Sequence, residues 1–242
     1  MIDWFNTISS GSSLSREHAR QLDDKGFVVI DGPFSPESLS QLADSYDRAM
    51  SEADHADVSI GRTTTRAHGF VNRAEFDDLY VYSRLLEACC QVIEQPFKLS
   101  ALAGRTLHPG ARSQDLHVDF ARDDFGCPMV GFILMIDEFR SENGATQFLH
   151  GSHNSRVAGG DCLNTANAGS RLISACGKAG SMIVYNGSVL HGHGVNLTGE
   201  CRRSIQGAYI RRTEKSSTNL PSRVQAETLE RIGPLARYLV SE

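Results

Sequence analysis

Apolar and polar positions divide the chain into a helical first part and a strand-rich second part. Up to Pro96 the apolar residues recur at spacings of three and four, which is typical of helices with one buried face. Gly26 stands where a left-handed residue often ends a helix, and Pro96 prevents a helix from continuing. The pattern predicts helices over 16–25, 35–50 and 76–94, and a short strand over 27–30.

From residue 97 onward, short apolar or alternating runs are separated by Gly, Asn and Ser, as in strands joined by turns. Strands are predicted over 97–107, 113–120, 129–137, 145–149, 171–175, 181–185, 189–193 and 201–211. Helices followed by strands argue against alternating βαβ units. We therefore expect a mainly β fold with flanking helices, in which N-terminal helices pack on a double-stranded β-helix, the cupin-like jelly roll.

A length of 242 residues suits one large domain, because sandwiches and barrels often reach this size. We predict a single domain over 1–242, made of a mostly helical part (1–96), a jelly-roll core (97–211) and a tail (212–242). The tail contains a helix over 223–240 that is interrupted at Gly233-Pro234. Residues 51–73 are polar, and we interpret them either as a solvated connector or as a loop over the substrate, with contacts from Arg62, Arg66 and His68.

Charge and composition exclude several classes of partner. The net charge is −5 and the pI about 6.0, with no basic block, so neither nucleic acid nor an anionic membrane is expected to bind. No apolar run is long enough to cross a bilayer, and residues 1–13 lack the features of a signal peptide. The six cysteines form no Cys-x-x-Cys pair, which favours small buried side chains in a cytoplasmic protein.

The candidate chemistry is centred on a His-x-Asp sequence, His117-Val118-Asp119. Residues two apart on a strand point to the same face, so His117 and Asp119 would aim at one point. One imidazole and one carboxylate are two-thirds of the facial triad of non-haem Fe(II) oxygenases. In a chain with nine histidines this pair alone is a weak indication, and two polar residues on a surface strand are the simple alternative.

A second histidine and a cation follow in the last strands. His191 ends a strand that comes after an Asn-Gly turn, and Arg202 opens the strand that follows. An arginine on an interior strand needs an anionic partner, because an unpaired buried charge is costly. The planar guanidinium suits a carboxylate such as the C5 carboxylate of 2-oxoglutarate. Arg203 points to the other face and is interpreted as solvated.

Four stretches together resemble the phytanoyl-CoA dioxygenase family of Fe(II)/2-oxoglutarate-dependent oxygenases. They are residues 24–30 with the helix start after them, 114–119, 142–153 and 191–202, in the order found in that family. The resemblance implies a double-stranded β-helix in which His117, Asp119 and His191 hold iron, with O₂ and 2-oxoglutarate as co-substrates.

The same resemblance assigns the residues that bind 2-oxoglutarate. It implies that Arg202 clamps the end of 2-oxoglutarate that lies far from the metal. Gln114 and Thr146 occupy positions that contact the co-substrate in the fungal-alkaloid branch of the family. A satisfied interior Gln and a turn Thr are the structural alternatives for these two residues.

Three other histidines depart from, or complete, the family pattern. His193 stands where the family often has Ser, and it shares a strand face with His191, so it could compete as a ligand. We expect His191 to be the ligand, since its eleven-residue step to Arg202 matches the family, and His193 to contact co-substrate or substrate. His150 replaces a usual Pro, and His153 is interpreted as a structural turn residue.

The resemblance implies hydroxylation of a C–H bond of a small-molecule substrate, with release of succinate and CO₂. Asp119 favours hydroxylation, because halogenases of this family carry a small residue at its position. A cupin-like metal enzyme without 2-oxoglutarate, or a non-catalytic binding or sensor module on the same fold, are the alternatives. Substrate contacts are expected from residues 55–73, from Arg122, Asp123 and Asp124, and from the loop 154–170.

Overall fold

A computed structural model describes residues 2–154, 169–216 and 218–242 of the chain. Within these ranges the helices are α1 (Trp4–Ser9), α2 (Arg16–Lys25), α3 (Leu39–Ser51), α4 (Ser83–Ile93), α5 (Ala226–Arg231) and α6 (Pro234–Val240). The strands are β1 (Phe27–Asp31), β2 (Val58–Ile60), β3 (Thr64–Ala67), β4 (Phe97–Leu107), β5 (Met129–Met135), β6 (Thr146–Leu149), β7 (Leu172–Ser174), β8 (Ser181–Asn186), β9 (His191–His193) and β10 (Arg202–Arg211).

Two antiparallel sheets contain the strands of the described ranges. The larger sheet has the strand order β1-β8-β5-β10-β4-β3-β2, and the smaller has the order β7-β6-β9. Two antiparallel sheets with helices packed on the outside form the jelly roll that the sequence predicts. The predicted fold class, mainly β with N-terminal helices, is therefore confirmed.

Helix α2 and strand β1 follow local rules that can be recognised in the sequence. The Ser15 side chain accepts a hydrogen bond from the backbone N–H of His18 and caps α2. Gly26 ends the helix at φ +84°, a conformation that glycine adopts without steric cost. Strand β1 begins at the next residue and pairs with β8, so the predictions over 16–25 and 27–30 are confirmed.

The helix predicted over 76–94 is too long. In the structure α4 begins only at Ser83, and 3-10 turns over Phe70–Asn72 and Ala74–Phe76 precede it. Turns bury the side chains of Phe76, Leu79 and Tyr80, whose spacing imitates a helix. Periodicity of apolar residues therefore extended the predicted helix into a segment of tight turns.

Two further predictions of the first part are corrected. The helix predicted from Ser35 begins as an α-helix at Leu39, after a 3-10 turn over Pro36–Ser38. Residues 51–73 are not a plain connector, because β2 and β3 lie within them and extend the larger sheet past β4. Polar side chains obscured these strands, since an edge of a sheet faces water on more than one side.

The strands of the second part match their predictions closely, with one exception. The segment 113–120 forms no regular strand; His117 makes a single antiparallel bridge with His191. The backbone N–H groups of Asp119 and Phe120 both donate to the Gly187 carbonyl, so the chain turns away after the bridge. The helix predicted over 223–240 is present as α5 and α6, with the expected interruption.

The larger sheet separates two apolar cores. Along β5 and β8 successive side chains point to opposite faces. Phe132 and Val184 pack on the side of the helices, together with Leu86 of α4. Ile133 packs on the other side, against Phe148 of the smaller sheet. Each such buried side chain contributes about 1.5–3 kcal/mol, so both cores fix how the sheets and helices pack.

The cysteines divide into a buried and an exposed set. Buried, as predicted, are Cys89, Cys90 and Cys127. Cys176 and Cys201 are exposed, so the prediction of buried side chains is wrong for these two, while Cys162 lies outside the described residues. No helix of the described ranges is long and apolar enough to pass through a bilayer.

Candidate metal centre and co-substrate cavity

Three side chains predicted as metal ligands meet at one point of the structure. His117 and Asp119 come from the segment that bridges to the smaller sheet, and His191 opens β9. One ligand atom from each lies within 4.8 Å of the others. Nε2 of His117 is 3.7 Å from Oδ1 of Asp119, and Nε2 of His191 is 3.5 Å from Oδ2. The spacing leaves room for one cation among the three.

Backbone carbonyls fix how the two imidazoles are presented. Nδ1 of His117 is 3.1 Å from the carbonyl oxygen of Asp115, and Nδ1 of His191 is 3.0 Å from that of Val189. A carbonyl only accepts hydrogen bonds, so in each neutral ring Nδ1 carries the hydrogen and Nε2 keeps its lone pair. Burial lowers the pKa of His191, which keeps that ring neutral. Both Nε2 atoms therefore face the cluster as donors to a metal.

Asp119 is held as a carboxylate by its neighbours. Burial works against ionisation, but His191, a hydrogen bond from Tyr185 and His117 together lower the pKa of Asp119. The Tyr185 hydroxyl donates to Oδ2 at 2.6 Å. An ionised carboxylate beside two imidazole lone pairs is a donor set that attracts a divalent cation.

The cluster lies in the wall of a cavity of about 370 Å³. All four residues predicted to bind co-substrate line this cavity: Arg202, Gln114, Thr146 and His193. Thr146 and His193 are directly paired between β6 and β9, and the backbone N–H of Gln114 donates to the His193 carbonyl. The smaller sheet thus brings three of the four predicted residues to one place.

Arg202 is a buried cation that forms no ion pair with a carboxylate among the described residues. Only 2% of the residue is exposed, and Nε and Nη1 have no hydrogen-bond partner among the described residues. The guanidinium carbon lies 3.9 Å from the centre of the Phe139 ring. Burial and the charge of Arg105 lower the pKa of Arg202 to about 9, so it remains a cation at neutral pH. Such a group requires an anionic ligand.

His193 stays outside the metal-ligand cluster. It is buried, and Nδ1 is 3.0 Å from the Gly194 carbonyl oxygen. Burial lowers the pKa of His193 to about 4, so the ring is neutral at neutral pH. It lines the cavity together with Arg202, which fits the expectation that it contacts co-substrate or substrate.

Arg203 is half-buried and paired with carboxylates, which corrects the sequence-based interpretation of a solvated side chain. Its Nη2 lies 2.6 Å from Asp137 and its Nη1 2.7 Å from Asp47. The hydrogen bond to Asp137 is the main cause of a raised pKa for Arg203. Arg203 does point to the opposite face from Arg202, as predicted, but it finds carboxylates there rather than water alone.

The predicted substrate contacts are only partly brought to the cavity. Arg66 and His68 line it, while Arg62 and Arg122 are not among the lining residues. Asp123 pairs with Arg211 at 2.6 Å and so belongs to a structural ion pair. The segment 155–168, which contains most of the predicted loop 154–170, lies outside the described residues.

The remaining histidine with a specific prediction is structural. His153 is buried, and its Nε2 is 2.9 Å from the Asp23 carbonyl oxygen at the end of α2. Its Nδ1 lies where a Cβ on Gly26 would be, so the glycine makes room for the ring. His153 thereby connects the turn after β6 to α2.

Sequence reasoning missed Tyr185 and Arg105, which both line the cavity. Alternation along β8 places Tyr185 on the same face as Ile183, and this placement can be derived from the sequence. The distance from Tyr185 to Asp119 depends on how the bridging segment folds, so no local pattern indicates it.

Comparison with known proteins identifies the family. The family model described as Phytanoyl-CoA dioxygenase (PhyH) matches residues 22–204. The chain belongs to this family. The PhyH-family chain is 31% identical to the dioxygenase trt7 of Aspergillus terreus, over 93% of this chain and 83% of that protein. It is 26% identical to the multifunctional dioxygenase prhA of Penicillium brasilianum, over 86% of this chain and 77% of that protein.

Solved structures share the fold of this PhyH-family chain. HygX from Streptomyces hygroscopicus, crystallised with nickel and 2-oxoglutarate, has a TM-score of 0.68 and 20% identity, covering 84% of this chain and 90% of its own. The epimerase SnoN, in complex with Fe3+, alpha ketoglutarate and nogalamycin RO, has a TM-score of 0.67 and 16% identity, with 81% and 83% covered. At these identities the similarity establishes the common jelly-roll fold.

Membership of the PhyH family makes the chain an Fe(II)/2-oxoglutarate-dependent dioxygenase, with O₂ as the second co-substrate. The resemblance drawn from four stretches of sequence is thereby confirmed. Neither alternative, a cupin-like enzyme without 2-oxoglutarate or a non-catalytic module, gains support from the family.

Proposed function

We propose that the chain hydroxylates a C–H bond of a small organic molecule, with Fe(II) held by His117, Asp119 and His191. The observation that carries this proposal is that the clustered ligand atoms share one cavity with the unpartnered guanidinium of Arg202. Two imidazoles and one carboxylate are the donors that non-haem Fe(II) oxygenases use. When bound, iron and 2-oxoglutarate supply the oxidation, and succinate and CO₂ leave.

Arg202 is proposed to bind the C5 carboxylate of 2-oxoglutarate. Its buried Nε and Nη1 are free of protein partners in the described residues, so the guanidinium has donors left for a carboxylate. Such a pair compensates a charge that burial otherwise makes unfavourable. Gln114, Thr146 and His193 line the same cavity, and we assign them contacts with the co-substrate.

The residues around the metal ligands orient them and keep water away. Carbonyl groups hold the two ligand imidazoles in one tautomer, and the Tyr185 hydroxyl holds one oxygen of Asp119. Phe148 stacks on the His191 ring, with ring centres 5.5 Å apart, and limits its rotation. This arrangement pre-organises the donor set before a metal binds.

Asp119 favours hydroxylation over halogenation, because its carboxylate occupies the coordination position that a halide would need. A cavity of about 370 Å³ suits a small organic substrate beside 2-oxoglutarate. Residues 1–242 are proposed to form one catalytic domain, a proposal that the common core of the helices and the larger sheet supports. The free cysteines of the described ranges agree with the cytoplasm as its location.

The proposal is tested by metal and co-substrate binding before turnover. Under anaerobic conditions Fe(II) and then 2-oxoglutarate are added, and the iron–2-oxoglutarate charge-transfer band is recorded. Oxygen and a panel of small metabolites follow, and succinate is measured. We expect the band to form and succinate release to rise with the correct substrate.

Variants make the outcome specific to the cluster. His117→Ala should lose the band, whereas His55→Ala, which removes an exposed histidine outside the cavity, should keep it. Iron binding without the band would favour a metal enzyme that does not use 2-oxoglutarate. A band without succinate release for any substrate would favour a binding module.

A further inference from the structure

Two arginines on neighbouring strands line the cavity, one of them exposed and the other half-buried. Arg66 of β3 is directly paired with Arg105 of β4, and both line the cavity. Like charges in directly opposed positions of a sheet repel each other. Neither arginine has an ion-pair partner among the described residues. The pair therefore has an unfavourable interaction that a bound anion would relieve.

Part of the Arg105 guanidinium is buried. Its Nε has no hydrogen-bond partner in the described part of the chain, and Nη1 donates at 3.3 Å to the neutral oxygen of Gln206. Burial, and then the charge of Arg66, lower the pKa of Arg105 to about 10. The charge of Asp119 offsets these effects only in part, so Arg105 is still a cation at neutral pH, and it forms no ion pair with a carboxylate among the described residues.

Arg212 donates its hydrogen bonds to backbone carbonyls, but several other arginines of the described residues pair with carboxylates. Such pairs are Arg203–Asp137, Arg211–Asp123, Arg231–Asp77 and Arg223–Asp57. Arg105 and Arg202 depart from that pattern, and both line the cavity. An arginine kept unpaired in a ligand cavity is a binding group for an external anion.

Charges in the loaded site explain why 2-oxoglutarate does not account for both arginines. Asp119 is the only acidic residue among the described residues that line the cavity. Its charge and one carboxylate of 2-oxoglutarate balance Fe(II), and the second carboxylate balances Arg202. Arg66 and Arg105 then remain uncompensated, and Lys215 adds a further positive charge to the lining.

We propose that Arg105, assisted by Arg66, binds an oxyanion group, a carboxylate or a phosphate, of the primary substrate. This inference rests on the proposed function and adds a substrate class to it. The cavity also has an apolar part of its lining, made of Ala101, Phe120, Met129, Ala208 and Ile210. The substrate that fits is an organic acid or phosphate ester with an apolar body, whose C–H bond is presented to the metal.

The test compares acids with a neutral molecule of the same shape. Octanoate, octyl phosphate and octanamide are titrated by calorimetry into anaerobic protein loaded with Fe(II) and 2-oxoglutarate. We expect at least one acid to bind about 10-fold more tightly than the amide, as a charge-assisted contact predicts. The two acids distinguish a carboxylate site from a phosphate site.

Variants assign the preference to Arg105. Arg105→Gln should remove the preference for acids, Arg105→Lys should retain part of it, and Arg66→Gln should reduce it. Arg62→Gln is the matched control, because it removes an exposed arginine of the same β2–β3 hairpin that does not line the cavity. Thermal melting of each variant, and the partial rescue by lysine, separate lost binding from lost folding.

Three results would overturn the inference. Equal affinity of wild type for acids and amide, or a preference that survives in Arg105→Gln, would exclude an oxyanion subsite at Arg105. If Arg105→Gln lost as much affinity for 2-oxoglutarate as Arg202→Gln, Arg105 would be a co-substrate contact instead. Wild-type protein that binds no 2-oxoglutarate contradicts the proposed function itself, and is thereby distinguished from failure of the subsite alone.

Discussion

The Tyr185 hydroxyl donates a 2.6 Å hydrogen bond to Oδ2 of Asp119. Tyr185 is buried, and burial followed by the charge of Asp119 raises its pKa well above the ordinary value. It therefore stays a donor at any pH the protein tolerates. The contact links β8 of the larger sheet to the segment that contains two of the three clustered side chains. It fixes one carboxylate oxygen and leaves Oδ1 turned toward His117.

Removal of this hydroxyl should weaken metal binding without unfolding the protein. We expect Tyr185→Phe to raise the dissociation constant for Fe(II) about 10-fold to 100-fold, because partners of metal ligands contribute that much. Competition with a coloured chelator under anaerobic conditions measures the constant directly. Tyr82→Phe is the control, since its hydroxyl donates to the Asp31 carbonyl far from the cluster.

A second variant disturbs the contact between Tyr185 and Asp119 through a glycine on the neighbouring strand. A Cβ on Gly131 would collide with the Tyr185 ring, which lies over this glycine in the adjacent strand. Gly131→Ala should therefore move the ring and weaken iron binding as Tyr185→Phe does. Unchanged iron affinity in both variants would mean that Asp119 needs no support from Tyr185.

Arg202 and Arg203 are adjacent in sequence, but their removal should affect different properties: the KM for 2-oxoglutarate for Arg202 and stability for Arg203. Arg202→Ala is expected to raise the KM for 2-oxoglutarate by orders of magnitude, because it removes a buried partner of a carboxylate, while Fe(II) still binds. Arg203→Ala breaks the contacts with Asp137 and Asp47 and should lower the free energy of unfolding by about 1 kcal/mol. Its KM for 2-oxoglutarate should stay near that of wild type.

Steady-state kinetics and chemical denaturation separate these two effects. A similar rise of the KM for 2-oxoglutarate in both variants would contradict the assignment of the two side chains to opposite faces of β10. The comparison is well controlled, because both variants remove a guanidinium from the same strand.

A spectroscopic assay should also distinguish the roles of His191 and His193. His191→Ala removes a clustered Nε2 and should abolish the iron–2-oxoglutarate charge-transfer band. His193→Ala removes a neutral ring that contacts the Gly194 carbonyl, so the band should persist. Loss of the band only in His193→Ala would reverse the choice of ligand.

Much of the fold could be predicted because its cause is local. The alternation of β5, β8 and β10 determines which side chains point to the helices and which to the cavity. The start and end of α2 follow from Ser15 and Gly26. The prediction failed where tertiary contacts determine the local structure. An example is the segment whose turns bury Phe76 and Tyr80 at a spacing that resembles a helix.

The candidate site was predicted in part for the same reason. His117 and Asp119 converge as expected, although their segment is not a strand, because two backbone hydrogen bonds to His191 position the bridge. Arg105 opposes Arg66 through a register between strands that are distant in sequence. No spacing in the sequence encodes that register, so the pairing of Arg66 with Arg105 became evident only from the structure.

Asp119 decides the proposed reaction type, and its replacement by glycine tests the whole arrangement. Asp119→Gly removes the carboxylate that neutralises one charge of the metal, and leaves the two imidazoles in place. We expect the variant to retain 2-oxoglutarate binding through Arg202 but to lose most uncoupled succinate release, because iron is then held by one ligand fewer. Added chloride could enter the vacated position. We nevertheless expect no efficient halogenation, since the cavity remains shaped for substrate hydroxylation.

Asp119→Asn is the matched control, because it keeps an oxygen that can bind the metal and accept the hydrogen bond of Tyr185, and the variant should retain more iron than Asp119→Gly. Succinate release and iron content are measured for wild type and both variants, with and without chloride. Wild-type rates in Asp119→Gly would mean that Asp119 is not a ligand, and the convergence of His117, Asp119 and His191 would need another explanation.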